Sequence, residues 1–336
     1  MIDSRLRGND EHVFAIFQSM NIDDLLLDAQ TVAIFGHVRP DGDCVGSTLG
    51  LYNYICDNYP TIKVQLFLER FPESYKILPR SNETCEIYKD GSAPVDLAFL
   101  IDTPSFERIG ANGENCLKTA KKTCNIDHHI SNPLNLCTEN FVEAKASSAS
   151  EVLFFLLSTN KVSKETAECL YLGIVHDTGA FKFSCTSQRT MVAIGELLDK
   201  GIDFTRIINE TYYTRTYIQT LVTGYVMMNS KLALSGKVVY SFLTPEDMDR
   251  YSVTPVELSN VIDTLREVSG TEVAIFIYPV NGEYKISLRS NYIVDVNKIA
   301  KVFGGGGHIR AAGGNSKESP EETIKKLLLL IQQQLP

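Results

Sequence analysis

The chain has 336 residues, enough for two domains, with the 44% hydrophobic and 22% charged fractions of an ordinary globular protein. Its formal net charge of -9 argues against the broad basic face that duplex nucleic acid requires, but not against a small phosphorylated substrate whose charge a bound cation offsets. Eight cysteines with no Cys-x-x-Cys pair point to reduced thiols in a cytoplasmic protein, and no apolar run reaches membrane-span length.

Residues 1–11 are charged, lack the apolar stretch of a signal peptide, and read as a loosely ordered extension. Residues 31–37 read as a buried strand, a short apolar run left through Pro40, Asp41 and Gly42. Residues 47–58 follow as a helix. Residues 63–68, residues 95–101 and a segment ending at 124–127 read as three more strands. Residues 148–158 and 164–175 read as helices, the second with Ser163 as its N-cap. Strands alternating with helices imply an α/β fold with a parallel sheet. A helical stretch, 190–228, breaks at Gly201-Ile202-Asp203. Beyond it, 237–243, 273–280 and 284–290 look like strands, with 254–269 as a helix among them. Asn281-Gly282 has the chemistry of a tight hairpin turn. A glycine-rich loop, 304–314, precedes a last helix, 320–334. The expected division is a catalytic domain 1–200, a helical linker 201–230 and a smaller C-terminal α/β domain 231–336, with the active-site cleft between the domains.

The chemistry sits at strand ends. His37, Asp41 and Asp43 follow the first strand, Asp102 ends the third, Asp127-His128-His129 ends the fourth, and Asp177 follows a helix. In open α/β sheets the carboxyl ends of strands line one crevice, so distant residues converge there. Carboxylates and imidazoles suit Mn²⁺, and carboxylates suit Mg²⁺. A single strand-end Asp is commonly a turn residue, and Asp41-Gly42-Asp43 alone resembles a fragment of a calcium loop whose remainder is missing. The signal is four such pieces in order. Four Asp and two His fit a site for two divalent cations, which would offset carboxylate charges that otherwise repel. The stretch from Gly304 to Gly314 is neither a Walker loop nor a Rossmann fingerprint. Its backbone amides, with His308 and Arg289, suggest a clamp for a phosphate or base.

The four pieces resemble the four motifs of the DHH phosphoesterase superfamily: Gly-His-x-x-x-Asp-x-Asp, a strand-end Asp, Asp-His-His and Asp-Thr-Gly. The second half resembles the DHH-associated C-terminal domain, through Ser287-Leu288-Arg289-Ser290 and Gly305-Gly306-Gly307-His308. The subgroup it is similar to is the stand-alone oligoribonuclease and phosphoadenosine-phosphate phosphatase type.

The resemblance implies that His37 and Asp41 hold one metal, that Asp43, His128 and Asp177 hold the other, and that Asp102 bridges them. It implies that Asp127 orients His128 and that His129 faces the substrate, these two being the catalytic pair beside the metals. Asn132 also fits the family pattern, whereas His176 is a neighbour of the ligands. Arg289, Ser290, Gly305, Gly306, Gly307 and His308 would bind substrate. The implied substrates are short single-stranded oligoribonucleotides, linear or cyclic dinucleotides, and 3′-phosphoadenosine 5′-phosphate, hydrolysed with two divalent ions, Mn²⁺ before Mg²⁺. No duplex DNA or membrane partner is expected, and a homodimer is possible through the Tyr212-Tyr213 region. The alternative is a manganese-dependent inorganic pyrophosphatase or exopolyphosphatase. The glycine loop and Arg289 favour a nucleotide over a small polyanion.

Overall fold

The computed structural model describes residues 21–85, 88, 94–109, 113–258 and 260–336. The expected N-terminal extension lies outside the described residues. The chain divides into two compact units between Thr214 and Arg215, inside the segment expected as a linker.

The first unit is built on five strands: β1 (Thr31–Phe35), β2 (Lys63–Phe67), β3 (Leu97–Ile101), β4 (Lys122–Asp127) and β5 (Glu139–Val142). Their order is β2-β1-β3-β4-β5, and every pairing is parallel. The central strand β3 is apolar throughout, and β1 is apolar after Thr31, because both faces are covered. Alternate side chains of β1 show this: Val32 and Ile34 join one core, Ala33 and Phe35 the other. The short strand β5 carries no continuous apolar run, and nothing in its sequence announced it.

Around this sheet lie α1 (Ile22–Leu26), α2 (Gly42–Asn58), α3 (Gly113–Thr119), α4 (Ala149–Leu156), α5 (Lys164–Asp177), α6 (Gln188–Leu198) and α7 (Phe204–Ile208). Helix α2 begins five residues earlier than expected, because Asp41 caps it by accepting the Cys44 N–H at 3.1 Å. Ser163 caps α5 as predicted, accepting the Thr166 N–H. Helices α2 and α5 cross with their backbones nearly touching. A Cβ on Gly46 would lie 2.6 Å from the Cys169 carbonyl oxygen and 2.7 Å from the Gly173 nitrogen. The helical stretch expected over 190–228 breaks after α6 where the sequence places the break, at Gly201, with φ +74. It resumes as α7, passes into a π turn at Asn209–Tyr213, and stops at the end of the unit.

The second unit carries a six-stranded mixed sheet of β6 (Lys231–Ala233), β7 (Val238–Phe242), β8 (Val273–Val280), β9 (Glu283–Ser290), β10 (Gly306–Gly307) and β11 (Ala311–Ser316), ordered β10-β11-β9-β8-β7-β6. Only β7 and β8 pair in parallel, joined through α9 (Pro245–Tyr251) and α10 (Val261–Arg266). Helix α8 (Tyr217–Met228) precedes the sheet, and α11 (Val296–Val302) and α12 (Pro320–Gln332) complete the unit. Asn281 and Gly282 turn the β8–β9 hairpin, both with positive φ, +51 and +81, as a primed turn demands.

Two expectations are corrected here. The helix expected over 254–269 is confined to α10, because Glu257 Oε2 accepts both the backbone N–H and the hydroxyl of Thr254 at 2.7 Å and holds a turn there. The glycine-rich loop is largely a hairpin, β10 with β11. Its glycines are required by close packing: a Cβ on Gly305 would meet the Gly313 carbonyl oxygen, and one on Gly314 would lie 2.9 Å from Phe303 Cβ.

Candidate metal centre

Strands β1, β3 and β4 of the first unit deliver the site's chemistry at their carboxyl ends. After β1 the chain passes through Gly36 to His37, which is 3% exposed. The His37 ring donates from Nδ1 to its neighbour's carbonyl, Val38 O, at 2.9 Å, which fixes the tautomer and leaves Nε2 as a lone-pair donor. That Nε2 stands 3.6 Å from Asp41 Oδ1 and 3.4 Å from Asp102 Oδ2. Asp102 follows β3 directly, is 2% exposed and adopts φ +56, uncommon for a residue with a side chain. Its other oxygen, Oδ1, faces His128 Nε2 at 3.6 Å. His128 Nε2 also lies 3.8 Å from Asp43 Oδ2 and 3.2 Å from Asp177 Oδ2. The six expected ligands therefore form two groups, His37–Asp41–Asp102 and Asp43–His128–Asp177–Asp102, and Asp102 turns one oxygen to each.

These separations are what a cation would require. One imidazole nitrogen cannot bond three carboxylates, and distances of 3.2–3.8 Å are mostly too long for hydrogen bonds. Neighbouring ligands of an octahedral ion with bonds of about 2.1 Å stand roughly 3 Å apart. Asp102 Oδ1 is buried and has no hydrogen-bond partner, an orphan acceptor of the kind a bound ion satisfies. The proton affinities agree. Burial works against a charged His128, yet Asp102, Asp177 and Asp43 outweigh it and push its pKa up to about 12. His37 moves upward for the same reason, against burial, through Asp102 and Asp41. Burial pushes the Asp177 carboxyl up to about 6, and burial with the neighbouring Asp102 and Asp177 charges raises Asp43 well above its ordinary value. The pocket gathers negative charge and takes up protons where it holds no other cation.

Asp43 is fully buried at the start of α2, with both oxygens seated on the first turn of α4. Oδ2 accepts the Ala149 N–H at 2.6 Å and Oδ1 the Ser150 N–H at 3.0 Å. The positive end of that helix holds the carboxylate in place. Cys44, one residue on, was not singled out from the sequence. Its sulfur lies with His37 and Asp102 in a third buried group and accepts the His37 N–H at 3.2 Å. A thiol one turn from a predicted ligand was the signal available.

Asp127 is corrected in one respect. It was expected to orient the His128 ring, but it bonds His128 only through the backbone, accepting that N–H at 2.8 Å. Its carboxylate instead holds the His129 ring, Oδ1 to Nδ1 at 2.7 Å, while Oδ2 accepts from Asn132 Nδ2 at 2.6 Å. Successive residues leaving a strand end point to different sides, so the second histidine is the one turned back towards Asp127. Asn132 also donates to Asn125 Oδ1 at 2.7 Å, and so it braces Asp127. Burial opposes ionisation of Asp127, but His129 and Asn132 hold its pKa below the usual carboxylate range. His176 lies beside the candidate ligand Asp177 in the chain. Its ring nitrogens face the Tyr75 hydroxyl at 3.3 Å and the Thr211 hydroxyl at 3.2 Å, and burial lowers its pKa to about 4. The ring packs so closely on Gly42 that a Cβ there would lie 2.3 Å from it.

In the second unit, Arg289 on β9 is partly buried. It donates through Nε to Asp263 Oδ1 at 3.2 Å and through Nη1 to the Leu288 carbonyl at 3.2 Å. His308 is exposed at the tip of the β10–β11 hairpin, where its N–H donates to Ala311 O at 2.7 Å. Ser290, expected at the substrate, is corrected: it is 1% exposed and its hydroxyl donates to the Val294 carbonyl at 2.7 Å, so it braces the turn after β9. Gly305, Gly306 and Gly307 lie in the hairpin and not in an open nest, although Gly306 and Gly307 are exposed.

Carboxylates and imidazoles gathered at the carboxyl edge of a parallel sheet are the equipment of a hydrolase that works with divalent cations. Residues 31–174 match the DHH family, N-terminal domain, and residues 235–335 match the DHHA1 domain. The chain belongs to the DHH family and is a phosphoesterase, a metal-dependent hydrolase acting on phosphoester bonds. It is 30% identical over 287 residues to the probable bifunctional oligoribonuclease and PAP phosphatase NrnA of Streptococcus mutans, covering 83% of this chain and 87% of that one. It is 29% identical over 289 residues to the bifunctional oligoribonuclease and PAP phosphatase NrnA of Bacillus subtilis, with the same coverage, 83% and 87%. Its fold is similar to the crystal structure of an exopolyphosphatase-related protein from Bacteroides fragilis, with a TM-score of 0.85 and 27% identity over 93% of this chain and 94% of that one.

Proposed function

We propose that this phosphoesterase hydrolyses short single-stranded oligoribonucleotides, linear or cyclic dinucleotides and 3′-phosphoadenosine 5′-phosphate, using two divalent cations, Mn²⁺ before Mg²⁺. The observation that carries the reading is Asp102, which directs Oδ2 to His37 at 3.4 Å and Oδ1 to His128 at 3.6 Å. His37, Asp41 and Asp102 would hold one ion, and Asp43, His128, Asp177 and Asp102 the other. Bound there, the ions polarise a phosphoryl oxygen and acidify water. The protein's own residues do the positioning. Asp127 engages Nδ1 of His129, so Nε2 is the atom at which His129 exchanges a proton with the substrate or leaving oxygen. Arg289, His308 and the glycines of the hairpin bind the rest of the nucleotide through a guanidinium and backbone amides. Two histidines in the ligand set favour Mn²⁺.

The oligoribonuclease and PAP phosphatase activities for which the Streptococcus and Bacillus relatives are named support the oligoribonucleotide and phosphoadenosine-phosphate part of this class. The acidic charge of -9 speaks against duplex DNA. Eight free cysteines favour a cytoplasmic location, and among the described residues no helix is long and apolar enough to cross a membrane. The uncharged exposed side of α8, with Tyr217, Leu221 and Met228, suits a homodimer. Purified protein with Mn²⁺ should release nucleotides from a dinucleotide and phosphate from phosphoadenosine phosphate, and Asp102→Ala should cut both by at least ~10³-fold. Undiminished turnover in that variant, or faster release from pyrophosphate than from nucleotides, would overturn the assignment.

A further inference from the structure

Two arginines beside the metal cluster have no side-chain partner among the described residues. Arg39 lies between His37 and Asp41 in the chain. It is exposed, has φ +54, and bonds only through its backbone N–H, to Glu69 Oε2 at 2.8 Å. Consecutive Cα atoms are about 3.8 Å apart, so the Arg39 Cα is within ~7.6 Å of both flanking ligands' Cα atoms. A long side chain in the left-handed region is uncommon and marks a place where the surroundings enforce a position. Arg108 lies six residues after Asp102 and is half-buried. Its carbonyl accepts the Val38 N–H at 2.6 Å, and the next residue, Ile109, bridges to His37. Both arginines are thus fixed by backbone bonds on the loops after β1 and β3, the loops that carry His37, Asp41 and Asp102.

The carboxylates nearby are the obvious partners, and they do not take them. Among the described residues, Asp41, Asp43, Asp102 and Asp177 face histidines, backbone amides and the Cys44 thiol, and form no ion pair with either arginine. Among the described residues no anionic group claims the two guanidiniums, which leaves them for an anion from outside the chain. A guanidinium fork matches phosphate oxygens. We propose that Arg39 and Arg108 form an anion subsite on the catalytic unit that takes the substrate's non-scissile phosphate. This rests on the nucleotide reading above. A 5′-phosphorylated oligoribonucleotide and 3′-phosphoadenosine 5′-phosphate both carry a second phosphate about one nucleoside away from the one attacked. A subsite for it lets one metal centre serve both, and it selects against a lone phosphoester.

The test compares 5′-phosphorylated diadenylate with unphosphorylated diadenylate, which shares its bases and scissile bond, on the full-length Mn²⁺-loaded protein. Wild type should favour the phosphorylated dinucleotide in kcat/KM. Arg39→Gln and Arg108→Gln should each shrink that preference by ~10-fold or more, mostly through KM. Arg39→Lys, which keeps the charge but not the fork, should shrink it less. Should a Gln variant fail to fold, seen as a lowered melting temperature and loss of both activities, the Arg39→Lys preference decides. A preference equal to wild type in the folded variants overturns the subsite. Wild type cleaving neither dinucleotide refutes the substrate reading itself, and the subsite with it, without reference to any variant.

Discussion

Gly173 sets two effects of opposite sign against each other. It sits inside α5, where replacing glycine by alanine ordinarily stabilises a helix by about 1 kcal/mol. Here the new Cβ would lie 2.0 Å from Ser150 Oγ, 2.8 Å from Ser150 Cβ and 2.7 Å from Asp43 Oδ1. Turning the serine hydroxyl aside does not relieve this, because the Ser150 Cβ is fixed by the backbone of α4. The first turn of α4 must move away from α5, and that turn supplies the two amides that seat Asp43. Overpacking of this kind costs about 1–3 kcal/mol, so Gly173→Ala should be net destabilising, by up to about 2 kcal/mol. It should also weaken metal binding by ~10–100-fold, since a ligand's support has shifted. Urea denaturation of the metal-free protein measures the first effect and Mn²⁺ titration the second. A variant as stable as wild type or more so, with unchanged Mn²⁺ affinity, would refute the packing argument.

Other outcomes follow from the same contacts. Asp127→Ala should lower kcat by ~10–100-fold with little change in metal stoichiometry, because it frees the His129 ring and leaves the ligands in place. Loss of bound metal would contradict that. Asp23 accepts from Tyr54, Tyr59, Ser158 and Lys161 at 2.6–2.9 Å. Against burial, these bonds hold its pKa down to about 2. Its unfolded value is about 3.9, so this contribution, about 2 kcal/mol, is complete above that pH and is lost as pH falls towards 2. Melting temperatures from pH 5 to 2 should fall more steeply for wild type than for Asp23→Asn, and parallel curves would count against the assignment. Ser290→Ala should change stability, by about 1 kcal/mol, and not KM for nucleotide. A large KM effect would restore Ser290 to the substrate.

The parallel sheet and the convergence of the candidate metal ligands were legible in the sequence because both follow from apolar runs that end in chemistry. β1 and β3 are apolar segments, and the one or two residues after each are placed by the strand, so His37 and Asp102 could be placed without any contact being known. Side-chain direction at those ends was not legible. Asp127 engaging His129 depends on the turn after β4 and on Asn132 from the far side of that turn. Ser290 lies at the end of a recognisable strand, but its burial depends on the chain returning at Val294. The run from Gly304 to Gly314 looked open because glycine serves both close packing and flexibility, and only the facing strand tells them apart. The helix over 254–269 failed because the Thr254–Glu257 bonds compete locally with helix.

Asp102 is proposed to join two cation positions. Electron paramagnetic resonance of the protein titrated with Mn²⁺ tests it most directly. The account predicts two ions per chain with the spectrum of an exchange-coupled pair, and loss of the coupling in Asp102→Ala. One uncoupled ion in the wild type, or an unchanged coupled pair in the variant, would contradict it.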